Sequence, residues 1–100
     1  MTAARDEDRR ELTLFVSGAS DLSARAIADA RALCDIHLGG GYALSVVDVH
    51  EDSAAVLSHG VLAAPTLVRS RPLPLRRFIG DLSQTHDVLL KLEIAPHVAD

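Results

Sequence analysis

The chain is predicted to fold as one α/β domain with the element order βαβαββα, and three observations lead there. A β-favouring run, a long stretch with apolar residues at spacings of three and four, and a second β-favouring run follow one another between Leu12 and Val49. That is the pattern of a βαβ unit, which favours parallel pairing through a right-handed crossover. Pro65 stands immediately before a β-favouring run at Thr66, where its fixed φ and missing donor suit the start of a strand better than its centre. Two short runs between Thr66 and Ile79 and a last amphipathic stretch to Leu92 then read as a hairpin and a helix. The result is an α/β sandwich with a parallel half and a hairpin half. One hundred residues suffice for one such core.

Met1–Glu11 holds seven charged residues and no large apolar residue after the initiator, so residues 1–11 read as a solvated tail. The domain is expected to span residues 12–93, with a short C-terminal tail from 94 to 100. Leu12–Ser17 is apolar on both alternating faces and is predicted to be a strand covered on both sides. Ser20 can cap the following helix through its hydroxyl, and Asp21 puts negative charge in its first turn. In that helix Ala26, Ala30, Leu33, Cys34 and His37, supported by Ile27 and Leu38, form the buried side. Asp21/Arg25, Arg25/Asp29 and Arg31/Asp35 are i,i+4 charge pairs opposite, each worth only about 0.2–0.5 kcal/mol.

Gly39-Gly40-Gly41 stops the helix, and Tyr42–Val49 is the second strand, expected, like the first, inside the sheet. Asp52 or Ser53 can cap a short helix to Leu57 or Ser58, which Gly60 breaks. The third strand starts at Thr66–Val68. A polar turn over Arg69-Ser70-Arg71-Pro72 follows, then a fourth strand within Leu73–Ile79, with Pro74 before it or at an edge. Gly80-Asp81-Leu82-Ser83 launches the last helix, with Ser83 as cap or Asp81/Gln84 as the alternative pair. The last eight residues read as frayed, with Ile94 and Val98 free to add contacts if a partner orders them.

The chain is 48% hydrophobic but only 3% aromatic, so the core is expected to be aliphatic. A net charge of −4 gives no general reason to expect nucleic acid or an anionic membrane as partner. No apolar run approaches the roughly 20 residues that cross a bilayer, and Glu11 follows the charged N-terminus too soon for a signal peptide. A cytoplasmic location is expected. Cys34 is the single cysteine, which excludes an internal disulfide, a Cys-x-x-Cys pair and an all-cysteine metal site within one chain.

A redox protein of this architecture needs a nucleophilic thiol at the first strand-to-helix turn, where the helix N-terminus stabilises the thiolate. That turn reads Gly18-Ala19-Ser20-Asp21. Cys34 falls inside the helix on its apolar side, the position of a packed, inert cysteine. An atypical thiol enzyme would have to depend on it. The five histidines form no HExxH or other ligand motif, and no catalytic residue, metal or cofactor is assigned. Gly40 and Gly41 lack the Lys-Ser/Thr of a phosphate loop and follow a helix instead of preceding one. Arg69, Arg71, Arg76 and Arg77 make a cationic zone with no acidic residue between Asp52 and Asp81. It reads either as a charged hairpin surface or as a protein-binding edge for an acidic partner, since arginine combines packing with directional hydrogen bonds to carboxylates.

GYALSVVDV, LAAPTLV and above all LPLRRFIGDLS, within a match from about Leu12 to Leu92, resemble the KaiB family of circadian clock proteins. They also resemble the KaiB-like sensory domains of the associated histidine kinases. The resemblance implies a thioredoxin-like domain that binds proteins without thiol chemistry, its partner a KaiC-like ATPase, with a KaiA-like or histidine-kinase component as a further one. It also implies an alternative KaiB-type fold of the C-terminal half and homo-oligomers in that stored state. Mapped here, the altered region would begin near Gly60 and include Ala64, Pro65 and Thr66, the hairpin with Pro72 and Pro74, and Gly80, Asp81, Leu82 and Ser83. Gly18-Ala19-Ser20-Asp21 and Ala54-Ala55-Val56-Leu57 depart from the family pattern. A divergent thioredoxin-like adaptor or sensor in stress or kinase signalling is therefore the alternative. The residues leave the Ala64–Pro65 bond open between cis and trans.

Overall fold

The computed structural model describes residues 10–39, 41–61 and 64–96. Expectations for the tail before Arg10, for Gly40, Leu62 and Ala63, and for Val98 lie outside these residues. Seven elements follow in the predicted order: β1 (Arg10–Val16), α1 (Asp21–His37), β2 (Tyr42–Asp48), α2 (Ser53–His59), β3 (Thr66–Arg71), β4 (Arg76–Ile79) and α3 (Thr85–Leu92). The sheet order is β2-β1-β3-β4, with β1 parallel to β2 and antiparallel to β3, and β3 antiparallel to β4.

The order places β1, and not β2, in the interior, which corrects the expectation that both lie inside the sheet. The strands explain why. Leu12, Leu14 and Val16 are buried on one face of β1 and Phe15 on the other, so β1 needs cover on both sides and a partner on both edges. In β2, Ser45 and Val46 are exposed, and that strand tolerates an open edge. β1 also begins at Arg10, earlier than its apolar run, because the ladder continues through Arg10↔Tyr42 and Glu11↔Ala43.

Three layers result from the period-two alternation of the strands. On one face Leu12, Leu14, Val16 and Leu67 pack against Ala26, Ala30, Leu33 and Cys34 of α1 and Val88, Leu89 and Leu92 of α3. On the other, Phe15, Val61 and Val68 gather half-buried Val47, Val56 and Leu75, and α2 has no fully buried residue. α1 forms as its sequence dictates: the Ser20 hydroxyl accepts from the Ser23 amide at 3.1 Å, and the three-and-four spacing buries Ala26, Ala30, Leu33 and Cys34. His37 is only half buried. The three charge pairs of its outer face do not close into ion pairs; Asp35 instead accepts a hydrogen bond from the Tyr42 hydroxyl, tying α1 to β2.

Both later helices end in the same left-handed device. Gly60 has φ +65°, its amide donates to Leu57 O and that of Val61 to Val56 O, and Val61 is buried. At the end of α3, Glu93 takes φ +55°, with Glu93 N donating to Leu90 O and Ile94 N to Leu89 O. This is the six-to-one, five-to-two pattern whose apolar residue folds back on the helix. Ile94 is thus part of the core at 7% exposure, which corrects the reading of residue 94 as a frayed position awaiting a partner.

The hairpin and the start of α3 also differ from expectation. β3 runs on to Arg71 and absorbs Arg69 and Ser70, because its register continues through Arg69↔Arg76. β4 is confined to Arg76–Ile79, with Pro74 ahead of it. Ser83 does not cap α3: its amide and hydroxyl both donate to Asp81 Oδ1, at 2.9 and 2.7 Å, and the helix starts after Gln84 without a side-chain cap. The Ala64–Pro65, Arg71–Pro72 and Leu73–Pro74 bonds are cis.

Candidate protein-binding surface

The turn between β1 and α1 is occupied by hydroxyls. Ser20 Oγ accepts the Ser23 amide and donates to Ser23 Oγ, and Ser23 Oγ donates to Ser17 O at 3.2 Å. These bonds commit Ser20 to capping. Cys34 is fully buried, and burial foremost, then the neighbouring Asp35 carboxylate, pushes its pKa up to about 11. A thiol in that state is a poor nucleophile. Ser17 Oγ and His50 Nε2 are hydrogen bonded at 2.8 Å, a pairing that sequence reasoning missed; its signal is that each residue follows the C-terminal end of one of two adjacent parallel strands. Among the described residues no group of three His, Cys, Asp or Glu side chains could hold a metal ion.

Most of the residues assigned to a structural or switching role meet at one corner. Gly80 N donates to Pro65 O at 3.4 Å, which joins Ala64, Pro65 and Thr66 to Gly80, Asp81, Leu82 and Ser83. Thr66 and Leu82 are buried, while Asp81 is held below the usual carboxylate range by the Ser83 hydroxyl first and the Ser83 amide second. Between this corner and α1 lies a hollow of about 270 Å³ walled by Leu22, Ala26, Pro65 and Leu82 and edged by Arg25 and Asp81. Gly60, Pro72 and Pro74 stand apart from it. Gly60 ends α2, and the two prolines shape the β3–β4 turn.

The four arginines do not form one surface. Arg69 is 6% exposed and is used inside the domain: Nη2 donates to Pro74 O at 2.9 Å and Nη1 to Glu93 O at 3.4 Å. Its Nε has no partner, and burial lowers its pKa against the opposing pull of Glu93. A hairpin with four exposed arginines is corrected to one with three. Arg71 is exposed at the end of β3, opposite Glu11. Arg76 and Arg77 are successive on β4 and so take opposite faces. Arg76 pairs through Nε with the Glu93 carboxylate at the end of α3. Arg77 reaches the end of α2, where its Nη2 lies 3.2 Å from the point a Cβ on Gly60 would occupy.

At this margin of the sheet an open hollow of about 310 Å³ is lined by Leu75, Arg76, Arg77 and Lys91. Leu73 and Ile79 are also exposed there, at 68% and 50%. Exposed aliphatic groups beside arginines are the composition of a recognition surface. Glu93 and Lys91 belong to this neighbourhood but come from the far end of α3, and no local pattern announces them.

Comparison with known proteins agrees with this architecture. A family model described as KaiB domain matches residues 13–94. The chain is 38% identical over 91 residues to the circadian clock protein KaiB3 of Synechocystis sp., covering 91% of this chain and 89% of that one. Among solved structures, the N-terminal domain of Synechococcus elongatus SasA superposes with a TM-score of 0.69 at 19% identity, over 92% of this chain and 87% of that one. The Drosophila melanogaster thioredoxin Deadhead does so with 0.66 at 17% identity, over 86% and 83%. The fold is thioredoxin-like.

Proposed function

The chain belongs to the KaiB family, and from that premise we propose that it is a non-enzymatic regulatory protein that binds a KaiC-like ATPase in a circadian or related signalling system. The observation that carries the reading is a thioredoxin-like frame whose nucleophile position holds a capping serine while its single thiol is buried in α1. Such a frame offers surfaces, not thiol chemistry. Its relatives are named as clock proteins, and the SasA domain shares the fold.

In this reading the β4 margin supplies the contact. Arg71, Arg76 and Arg77 draw in an acidic face of the partner, and Leu73 and Ile79 provide apolar area to bury. The charges act mainly on the association rate and on orientation. A KaiA-like or histidine-kinase component would compete for or add to the same assembly. The alternative KaiB-type fold would rebuild the chain from Gly60 onward, and the thioredoxin-like state described here is the binding-competent one.

The test is binding of the purified chain to the KaiC-like ATPase of the same genome, with nucleotide state controlled. Saturable binding is expected, with a loss of at least about tenfold in Arg76→Ala/Arg77→Ala, the range of interface arginines that matter. A folded protein that fails to bind in every nucleotide state would replace this reading with a divergent thioredoxin-like adaptor in stress or kinase signalling.

A further inference from the structure

The charges around Arg76 do not balance. Arg69 is buried with its Nε unpartnered and only carbonyl oxygens on its other donors. In register beside it, Arg76 holds the carboxylate of Glu93, and Lys91 lines the same hollow as Arg76 and Arg77. One carboxylate therefore serves a group of cations, and it comes from within the chain. The pair is solvent-accessible, with Arg76 and Glu93 side chains 45% and 55% exposed, so it can be exchanged at low cost. An exposed ion pair of this kind is worth little on its own.

We propose that Glu93 is a built-in competitor for the β4 margin: its carboxylate occupies on Arg76 the place that a carboxylate of an acidic partner segment takes on binding. Lys91 and Arg77 receive the neighbouring acidic groups of that segment. The inference rests on the acidic-partner reading above and adds the residue that sets its affinity. Glu93 takes the left-handed conformation at the end of α3, with its carbonyl accepting from Arg69 and its exposed side chain paired with Arg76.

The measurement is binding of an acetylated hexaglutamate peptide to the full chain at low ionic strength, compared among wild type, Glu93→Gln, Glu93→Asn and Lys91→Gln. Asparagine tolerates the left-handed region, so Glu93→Asn keeps the question answerable if Glu93→Gln fails to fold. Removing the competitor is expected to tighten binding by about two- to fivefold, the fold-change equivalent of an exposed ion pair, and Lys91→Gln to weaken it. Unchanged or weaker binding in a folded Glu93 variant would overturn the proposal, as would tighter binding that survives Arg76→Ala in the same chain. Because the probe is a peptide, failure to bind the ATPase leaves this result standing. ATPase binding combined with an inert Glu93 would sink only the competition.

Discussion

Gly60→Ala tests the link between the end of α2 and the basic margin. Gly60 sits at φ +65°, where an L residue costs roughly 1–2 kcal/mol. The lower conformational entropy of alanine in the unfolded chain returns about 0.4–1 kcal/mol. The new Cβ would stand 3.2 Å from Arg77 Nη2 and 3.5 Å from its Cζ, but these are the far end of a flexible side chain and can swing aside. The net loss should be about 1 kcal/mol, seen as a fall of about 4–8 °C in the melting midpoint of a domain this size. Gly60→Asn separates the two effects, since asparagine accepts the left-handed conformation yet carries the same Cβ. Thermal melts should show asparagine closer to wild type than alanine, while NMR of the arginine side chains should show Arg77 displaced in both. Equal destabilisation by the two substitutions, or an alanine variant melting with wild type, would refute the conformational argument.

Two further outcomes follow from the ionisable groups. With its pKa raised to about 11, Cys34 is thiolate in only about one molecule in a thousand at pH 8. A thiol reagent should therefore label the native protein only through unfolding and the denatured chain at once, and rapid stoichiometric labelling of folded protein would contradict the burial. Asp81, whose folded pKa is depressed by Ser83, contributes stability above its ordinary carboxylate range and loses it as pH falls through the lower folded value. Asp81→Ala should lower the melting midpoint more at neutral pH than in acid below both values; a difference independent of pH would remove the charge from the explanation.

The sequence was readable wherever a signal was local. Ser20, the Ala26–Ala30–Leu33–Cys34 spacing, Asp52 and Gly60 each act within a few residues, and α1 and α2 came out close to where they stand. The position of β2 was not readable, since β1 and β2 are both apolar and the central place is decided by β3, which arrives later in the chain to pair with β1. In the sequence the charge of Arg69 suggests a solvated turn. Its donors are met by two carbonyls from Pro74 and Glu93 that only the folded chain brings near. Ser83 lost the capping role to a tighter local competitor, the Asp81 carboxylate. At the candidate surface the arginines were visible, but the carboxylate that restrains Arg76 was hidden in the end of α3.

The alternation of β4 has a consequence for how this surface can change over generations. Arg76 and Arg77 are neighbours in the gene, yet one answers to α3 and the other to α2. Their partners inside the domain are separate, but residues that line one hollow couple when a common ligand binds there. A substitution at one codon therefore alters one internal contact, with α3 or with α2, while both positions still act on whatever fills the hollow between them. Two adjacent codons thus set two separate internal restraints on one shared contact surface.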